Sequence, residues 1–282
     1  MTNDTTTPGI SLGKEANYPD RYDAALLAPI ARAETRQALW GSEAMPCEGV
    51  DVWTAYELSW LAPSGKPCAA MAEFRFSAAS SHIVESKSFK YYLNSLNQTV
   101  FESKEAVGEV MQRDLSQASG GDVSVHFFDL QGHNALALAS GFCVDELDVT
   151  VDHYSPDASI LSLKTDNVKN ASQHRVSNAR LYSHLLKSNC PVTGQPDWAT
   201  VWIEYTGLEI CPESFLRYVV SYRQHQDFHE NCVERMFRDL DQQCQPESLS
   251  VYARYTRRGG LDINPFRTNA GRDVPFGRLA RQ

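Results

Sequence analysis

The chain has 282 residues, of which 42% are hydrophobic and 22% are charged, so it can bury the core of one large domain or of two smaller ones. This composition excludes a disordered chain, a collagen and a miniature disulfide scaffold. There are 26 lysines and arginines against 35 aspartates and glutamates, and the net charge of -9 argues against direct binding of a nucleic-acid polymer.

The N-terminal part of the chain has no strong secondary-structure pattern. We expect residues 1–19 to form a loose arm. Residues 1–18 are polar, whereas a secretion signal would be apolar there. No apolar run in the sequence approaches the roughly 18 residues that span a bilayer. We therefore expect a cytoplasmic protein without membrane contact, in which residues 1–40 form an N-terminal arm.

Residues 41–140 form a first predicted module, in which two strands precede two helices and a further strand. β-Branched and aromatic residues favour the strands, and apolar residues at helical spacing favour the helices. The predicted elements are strand 50–61, turn 62–67, strand 68–77, helix 86–98, a helix that begins after Ser103 and ends before Gly120, and strand 123–130.

Residues 141–282 form a second predicted module with the same order of elements. The predicted elements are strand 181–186, turn 190–197, strand 198–205, helix 212–224, helix 229–243 and strand 249–256. Individual residues also recur, since Ser88-Phe89 matches Ser214-Phe215 and Arg113-Asp114-Leu115 matches Arg238-Asp239-Leu240. Two tandem ββααβ units predict an α+β fold with antiparallel sheets and helices on one face. Because open sheet edges usually pair, we also expect a homo-oligomer.

The seven cysteines are an odd number without a CxxC pair, which fits neither a disulfide framework nor a zinc knuckle, so we expect free thiols. Cys190 stands out because it lies in a predicted turn that two prolines stiffen, and Asp197 follows in the same stretch. The alternative is an incidental or buried thiol, and the sequence leaves these two interpretations about even.

Three other segments carry polar groups that suit a ligand. His229-Glu230 opens a helix, where an imidazole and N–H groups can meet polar ligand atoms, although both are also ordinary first-turn residues. The run Glu85–Tyr92 combines an acid with lysines and serines at a strand-to-helix junction, as an ordinary helix start also would. The run Arg254–Gly260 is a basic patch that suits a phosphate, or a charged strand edge that blocks aggregation.

The sequence lacks the common nucleotide and metal motifs. No GxGxxG follows a strand, and there is no P-loop. The seven histidines other than His229 show no HxxxH or HxH spacing among themselves with an acid close by, so the sequence gives little support for a metal site.

Taken together, the run Glu85–Tyr92, Cys190 with Asp197, and His229-Glu230 resemble the motifs of the NADPH-dependent 7-cyano-7-deazaguanine reductases. These are the nitrile reductases of queuosine biosynthesis, a transfer-RNA modification, and the resemblance is to their long two-module form. It covers the chain from about residue 12 to residue 265. The resemblance implies a tunnelling fold and a four-electron reduction of the nitrile to an aminomethyl group by two NADPH. It also implies an oxidoreductase that needs no metal or flavin.

The resemblance further implies a role for individual residues. Cys190 would add to the nitrile and form a covalent thioimide, Asp197 would protonate the nitrogen, and His229 would supply or orient a later proton. The implied substrate contacts are Val84, Glu85, Ser86, His229 and Glu230. The implied NADPH contacts are Ser86, Lys87, Arg258 and Gly259.

Two alternatives come from other functional classes. A cyclohydrolase-like hydrolase on the same fold would use zinc, and a purine-binding or assembly module would keep the pocket without catalysis. Because fused modules need fewer chains to complete a ring, we expect a homodimer that binds a purine-like small molecule. We expect no direct contact with nucleic acid.

Overall fold

The computed structural model describes residues 19–128, 130–131, 136–164 and 174–282, so nearly all of the predicted loose arm lies outside the described residues. The strands are β1 Pro29–Ala31, β2 Glu48–Leu61, β3 Pro67–Ser77, β4 His82–Val84, β5 Val123–Phe128, β6 Phe142–Cys143, β7 Arg175–Asn189, β8 Pro196–Leu208, β9 Ser248–Tyr255 and β10 Leu261–Thr268. The α-helices are α1 Ala33–Trp40, α2 Ser86–Ser95, α3 Lys104–Ser119, α4 Pro212–Ser221 and α5 His229–Cys244.

Eight strands form one sheet in the order β5-β3-β2-β10-β9-β8-β7-β6, and β1 pairs with β4 in a small separate sheet. Neighbouring strands are antiparallel except β6 and β7. Because side chains alternate between the two faces of a strand, one face can pack on helices while the other faces away. Val201 and Val251 lie in the core with residues of α4 and α5, whereas Trp202 and Tyr252 contact Phe276 on the opposite face.

The first half of the sheet, which contains β5, β3 and β2, has its own core on the same face. Trp53 of β2 packs edge-on against Phe89 of α2, and Met111 and Leu115 of α3 belong to the same cluster. This is the α+β arrangement that the sequence predicted, with mainly antiparallel strands and helices on one face. Among the described residues, no helix combines the length and apolarity needed to cross a bilayer.

The internal repeat is confirmed by the hydrogen bonds that join each helix pair. Helices α2 and α4 have 10 residues each, and α3 and α5 have 16 each. The Tyr92 hydroxyl donates to Asp114 at 2.7 Å, and the Tyr218 hydroxyl donates to Asp239 at 2.7 Å. Each aspartate also accepts from the arginine that precedes it. Asp114 and Asp239, which recur in the sequence, therefore each join the two helices of their pair.

Strand β10 is the main element that the sequence did not predict. It contains Pro265 and Asn264, which are unfavourable in strands. It nevertheless pairs with β2 along its whole length, from Leu261 to Thr268, and also with β9. The buried Asn264 side chain donates to the carbonyl of Val52 at 3.1 Å and accepts from the N–H of Tyr255 at 3.1 Å. Strand β10 thus joins the two halves into one sheet.

Two further expectations need correction. Strand β8 begins at Pro196, and Asp197 pairs with Ser188 of β7, so Asp197 does not share a loop with Cys190 as predicted. Helix α2 ends at Ser95 instead of residue 98, and α4 ends at Ser221, where a 3-10 turn takes over. Side-chain periodicity predicts that a helix exists better than it predicts where the helix ends.

Residues 19–40, which the sequence assigns to the N-terminal arm, are folded against both cores. They contain β1 and α1, and Leu39 and Trp40 are buried in the core of the second half. Leu27 is buried in the core of the first half. The division of the chain into residues 1–40, 41–140 and 141–282 stays a prediction.

Candidate active site

Five segments from both halves of the chain meet at one place. The loop after β7 carries Cys190, the start of β8 carries Asp197, and the start of α5 carries His229. The junction between β4 and α2 carries Glu85, and the turn between β9 and β10 carries Arg258. The candidate site therefore exists only where the first half contacts the second.

Backbone hydrogen bonds hold the Cys190 loop against the segment that precedes α5. The N–H of Asn189 donates to the carbonyl of His225 at 2.8 Å, and the N–H of Asp227 donates back to Asn189 at 3.1 Å. The loop is closed by a bond from the N–H of Gly194 to the Cys190 carbonyl at 2.9 Å. Gly194 has φ 69°, where a side chain would be strained. These bonds set the thiol beside the first turn of α5.

Two adjoining cavities lie between these segments, and every site residue predicted from the sequence lines at least one of them. Cys190 and His229 stand on the boundary that both share. The inner cavity is lined by Trp53, Ile83, Val84, Glu85, Ser86, Cys190, Pro191, Asp197, Asp227, Phe228, His229, Glu230, Arg258 and Ile263. The outer cleft is lined by Glu85, Ser86, Lys87, Lys90, Cys190, Val192, Thr193, Gln195, His229, Thr256, Arg258, Gly259, Leu261 and Ile263.

The Cys190 thiol is half-buried and surrounded by hydrogen-bond donors. Burial by itself raises its pKa, but hydrogen bonds from the side chain and N–H of Thr193, the N–H of Val192 and the Arg258 side chain outweigh this effect. The net result is a pKa below the ordinary value of a cysteine thiol. A lowered pKa increases the fraction of thiolate near neutral pH, and the thiolate is the nucleophilic form.

We expect Thr193→Val to raise the pKa of Cys190, because valine keeps the shape of threonine but cannot donate to the sulfur. The measurement is the rate of alkylation by iodoacetamide against pH, whose midpoint should move upward in the variant. Thr256→Val, in the same cleft, is the matched control and should leave the midpoint unchanged. Equal midpoints in Thr193→Val and the parent would contradict the assigned cause.

Asp197 is 2% exposed and lies between a guanidinium and an imidazole. Nε of Arg258 is 3.1 Å from Oδ1, and Nε2 of His229 is 3.3 Å from Oδ2. The His229 ring stacks on Tyr255 with ring centroids 3.7 Å apart, which fixes its orientation. Within the described part of the chain, Nδ1 of His229 is buried without a hydrogen-bond partner. If Nε2 donates to Asp197, Nδ1 keeps a free lone pair.

Glu230 is a buried carboxylate, 2% exposed, and no side chain in the described ranges forms a hydrogen bond or ion pair with it. Burial and the nearby Asp51 carboxylate raise the pKa of Glu230 to about 7, against the opposing effects of Arg32 and His229. The backbone N–H of Glu230 itself is the hydrogen-bond donor that lowers its pKa, and a buried carboxylate with so few partners costs stability, as ligand-binding groups often do. Glu230 is thus available to a ligand donor in the inner cavity.

A buried ion network lies behind Glu230 and joins β2, β10 and α5. It consists of Arg32, Arg36, Asp51, Glu234 and Arg267. Arg267 is 0% exposed, with Nη1 2.7 Å from Asp51 and Nη2 2.8 Å from Glu234. Three guanidinium groups face two carboxylates, and Glu230 lies one helical turn before Glu234. Within this network Arg32 favours the ionised form of Glu230, whereas Asp51 opposes it with the larger effect.

Glu85 is the N-cap of α2. Its carboxylate accepts from the N–H of Lys87 at 3.0 Å and from the N–H of Ser88 at 2.7 Å. This is the ordinary helix start that the sequence left open, and it fixes the carboxylate at the border of both cavities. An ionised carboxylate has about four acceptor sites, so Glu85 can still accept from a ligand.

Positive charge is concentrated at the outer cleft. Lys87 is exposed there, and Lys90 donates to the carbonyl of Gly259 and pairs with Glu57 at 3.3 Å. Gly259 has φ 56°, and a Cβ at this position would lie 3.0 Å from Nζ of Lys90. The turn therefore favours glycine and brings its backbone close to the lysine. Together with Arg258, these groups suit an anionic ligand.

Sequence reasoning missed the apolar lining and part of the polar lining. Trp53 and Ile263 resemble ordinary core residues, and nothing in their sequence context marks them. Phe228 precedes His229 and caps α5 without a side-chain hydrogen bond, which its position next to the motif could have indicated. Thr193 in the Cys190 loop and Lys90 in the Glu85–Tyr92 run lay inside segments that the sequence had already singled out.

Comparison with known proteins gives two family matches. Residues 18–127 match the family described as "Nitrile reductase, 7-cyano-7-deazaguanine-reductase N-term", and residues 196–273 match the family described as "QueF-like protein". A solved structure, the archaeosine synthase QueF-Like in the apo form, matches with a TM-score of 0.31 and 22% identity, covering 36% of this chain and 97% of its own.

Several curated relatives match over nearly their whole length. A protein of Saccharophagus degradans is 57% identical over 97% of this chain and 99% of its own, and one of Teredinibacter turnerae is 55% identical over 96% and 97%. A protein of Bordetella avium is 52% identical over 96% and 97%. Each of these three relatives is named an NADPH-dependent 7-cyano-7-deazaguanine reductase.

Proposed function

The chain belongs to the family of NADPH-dependent 7-cyano-7-deazaguanine reductases, and we propose that it reduces the nitrile through a covalent bond to Cys190. The reaction converts the nitrile to an aminomethyl group with two NADPH, in queuosine biosynthesis. The observation that supports the role of Cys190 is its position on the boundary of two cavities, with a lowered pKa and Asp197 and His229 beside it. Family membership favours this reductase over a zinc hydrolase or a non-catalytic binding module.

The first step forms a carbon–sulfur bond. The Cys190 thiolate attacks the nitrile carbon, and the nitrogen takes a proton, so that the thiol and the nitrile become a thioimide. Asp197, the carboxyl group held by Arg258 and His229, is placed to pass that proton to the nitrogen. The thioimide carbon accepts hydride more readily than the nitrile carbon does.

The later steps break the same carbon–sulfur bond. NADPH, when bound, supplies a hydride at each reduction. After the first, Cys190 leaves as a thiolate and the substrate becomes an imine, which the second reduction converts to an amine. The thioimide nitrogen already carries a proton when the thiolate leaves, so only the second reduction requires a further proton, and His229 would donate or orient it through its contact with Asp197.

Recognition of the purine-like ring is assigned to the inner cavity. Glu230 and Glu85 would accept hydrogen bonds from ring N–H groups, and a charged acceptor makes each bond worth about 1.5 to 3 kcal/mol. Val84 is buried at 3% exposure and Ser86 lies at the border of both cavities, so both can contact the ring. His229, stacked on Tyr255, closes the side next to the thiol.

The outer cleft is assigned to NADPH, with contacts from Ser86, Lys87, Arg258 and Gly259. The lysines and Arg258 provide the positive charge that a phosphorylated dinucleotide requires. Cys190 and His229 line this cleft as well as the inner cavity, so reactants in the two spaces would meet at these residues. Arg258 would thus contact NADPH in the outer cleft and also hold Asp197 in the inner cavity, since it pairs with that carboxylate.

Incubation with 7-cyano-7-deazaguanine alone should increase the mass of the chain by the mass of one nitrile, because the thioimide forms before any reduction. Intact-mass spectrometry measures the adduct, and peptide mapping should place it on Cys190. Cys190→Ala should abolish it, whereas Cys68→Ser, which removes another partly exposed thiol, should not. An adduct that persists in Cys190→Ala would refute the assigned nucleophile.

Substrate binding should weaken as the pH falls below about 7, because the pKa of Glu230 is raised to about 7 and only its ionised form is the strong acceptor. The KM for the nitrile should rise about tenfold per pH unit below that value. Glu230→Gln should raise KM at pH 8 by roughly 10- to 100-fold and remove this pH dependence. Steady-state kinetics between pH 5.5 and 8.5 provide the measurement.

The stability of the Glu230→Gln variant distinguishes a role of Glu230 in substrate binding from a role in holding the fold. Because the folded-state pKa of Glu230 is raised, the folded chain binds the proton more tightly than the unfolded chain, and stability falls as pH rises from about 4.5 to about 7. Glu230→Gln should therefore be at least as stable as the parent at pH 8. A loss of stability there would point to a structural role instead.

The chain's small-molecule substrate follows from its family, and we propose in addition that it works as a homodimer in the cytoplasm. Among the described residues, the sheet ends in β5 on one side and in the two-residue β6 on the other, which leaves strand edges available for pairing there. Leu138 and Phe142, next to the β6 edge, are 87% and 51% exposed, which supports an apolar contact there.

A further inference from the structure

A second cluster of reactive side chains lies outside the active site. Cys143 on β6, Asp145 just after it and His184 on β7 each place a ligand-type atom within 4.8 Å of the other two. Cys143 and Asp145 are partly buried, and His184 is exposed. None of the three lines the inner cavity or the outer cleft. The reductase mechanism therefore leaves this cluster without a role.

The pairing of β6 with β7 brings these residues together. Cys143 stands opposite Tyr182 in the parallel pairing of β6 with β7. On its other side β7 pairs with β8, and the register of that pairing is irregular between Ser183 and Leu186. Because His184 is about 40 positions from Cys143 and Asp145 in the sequence, no spacing rule for histidines and cysteines could detect the cluster.

Two side chains of the cluster, Asp145 and His184, are also held by neighbours. Asp145 accepts from the Ser183 hydroxyl at 2.6 Å and from the N–H of His184 at 2.9 Å. Nδ1 of His184 is 2.8 Å from the Thr200 hydroxyl. Such outer hydrogen bonds orient the ligands in known metal sites, and partners of this kind are found around most of them.

We propose that Cys143, Asp145 and His184 form a binding site for a divalent transition metal of the zinc type. Thiolate, imidazole and carboxylate are the three ligand classes that zinc takes in proteins, and three protein ligands leave the fourth tetrahedral position for water. Ligand atoms of a tetrahedral zinc site are roughly 3.5 Å apart, so the donors must approach by about 1 Å. Side-chain rotation of the exposed His184 can provide most of that movement.

The site would fasten the segment that begins with β6 more firmly to β7. Cys143 and Asp145 belong to that segment, whereas His184 belongs to β7, so the metal would cross-link residues about 40 positions apart. His184 precedes Cys190 by six residues along an extended strand, or roughly 20 Å, so the metal would not take part in the reduction.

Cobalt is the probe, because a thiolate bound to Co²⁺ gives a charge-transfer absorption band that zinc does not show. The full chain is titrated with Co²⁺ in the presence of a non-thiol reductant, and its spectrum is compared with that of three variants. The parent and Cys190→Ser should bind one equivalent with this band, Cys143→Ser should lose the band, and His184→Ala should bind at least tenfold more weakly. Cys190→Ser controls for binding to the active-site thiol.

Thermal unfolding with added Zn²⁺ is the second measurement. At a hundredfold excess over the dissociation constant, zinc should raise the Tm of the parent and of Cys190→Ser by roughly 5 °C or more, and should not raise that of Asp145→Asn. A cobalt band that survives Cys143→Ser but disappears in Cys190→Ser would overturn the proposal. The absence of any band at millimolar Co²⁺ would overturn it as well.

Discussion

Asp197→Asn should lower kcat by about 100- to 10,000-fold, the range expected for the loss of a general acid. Asparagine keeps the shape of the side chain but cannot carry the transferred proton, and it deprives Arg258 and His229 of a charged acceptor. The KM for the nitrile should change much less, because Asp197 is assigned to the chemistry and not to ring recognition. Steady-state kinetics that monitor NADPH consumption provide the measurement.

Asp227→Asn is the matched control for this prediction. Asp227 also lines the inner cavity, but its carboxylate accepts from the N–H of Phe228 at 2.8 Å and from the Asn231 amide at 2.7 Å. The Asp227→Asn substitution should therefore affect the free energy of unfolding more than it affects kcat. If both variants lost kcat to the same extent, the effect would come from the charge of the cavity and not from proton transfer by Asp197.

Arg267→Met should lower the free energy of unfolding by about 3 to 5 kcal/mol, a large part of the total stability of a typical protein. Arg267 is fully buried and bridges Asp51 and Glu234, so methionine would leave two buried carboxylates with one partner fewer each. Because Asp51 belongs to β2 and Glu234 to α5, the loss should loosen the contact between the halves. Urea-induced unfolding followed by circular dichroism measures the effect.

Arg175→Met is the corresponding control, because the side chains of Arg175 and of its partner Glu247 are 52% and 55% exposed, so this ion pair lies at the surface. It should unfold at nearly the same urea concentration as the parent. A similarly small effect in Arg267→Met would show that neighbouring arginines compensate fully. Arg267→Lys, which keeps the charge but loses the forked geometry, should fall between the parent and Arg267→Met.

The sequence predicted the fold where local patterns and the repeat agreed. Ser103 does cap α3, accepting from the N–H of Ala106 at 3.1 Å, and the two helix pairs have the predicted order. Strand β10 could not be predicted, because Pro265 and Asn264 have low strand propensity and their stabilising partners lie in β2 and β9. Tertiary contacts override local propensity in that strand.

The candidate site was predictable to the extent that its residues stand in recognisable motifs. Cys190, His229 and Glu230 were found through motifs, but the ion network behind Glu230 was not, since Arg32 and Arg267 are separated by most of the chain. The same limit applies to the raised pKa of Glu230, which depends on burial and on Asp51. Electrostatic effects between residues so far apart in the sequence can be identified only from the three-dimensional structure.

The position of β10 has a consequence for the order in which the protein can be assembled. Asp51 and Arg267, which meet across β2 and β10, are 216 residues apart in the sequence. During synthesis on the ribosome, β2 emerges long before β10. Until β10 has been made, the edge of β2 that will pair with it stays open. The two halves of the active site can be locked together only after β10 has emerged, and contacts of such high sequence separation form slowly. The order of translation thus delays the completion of the active site until nearly the whole chain has been made.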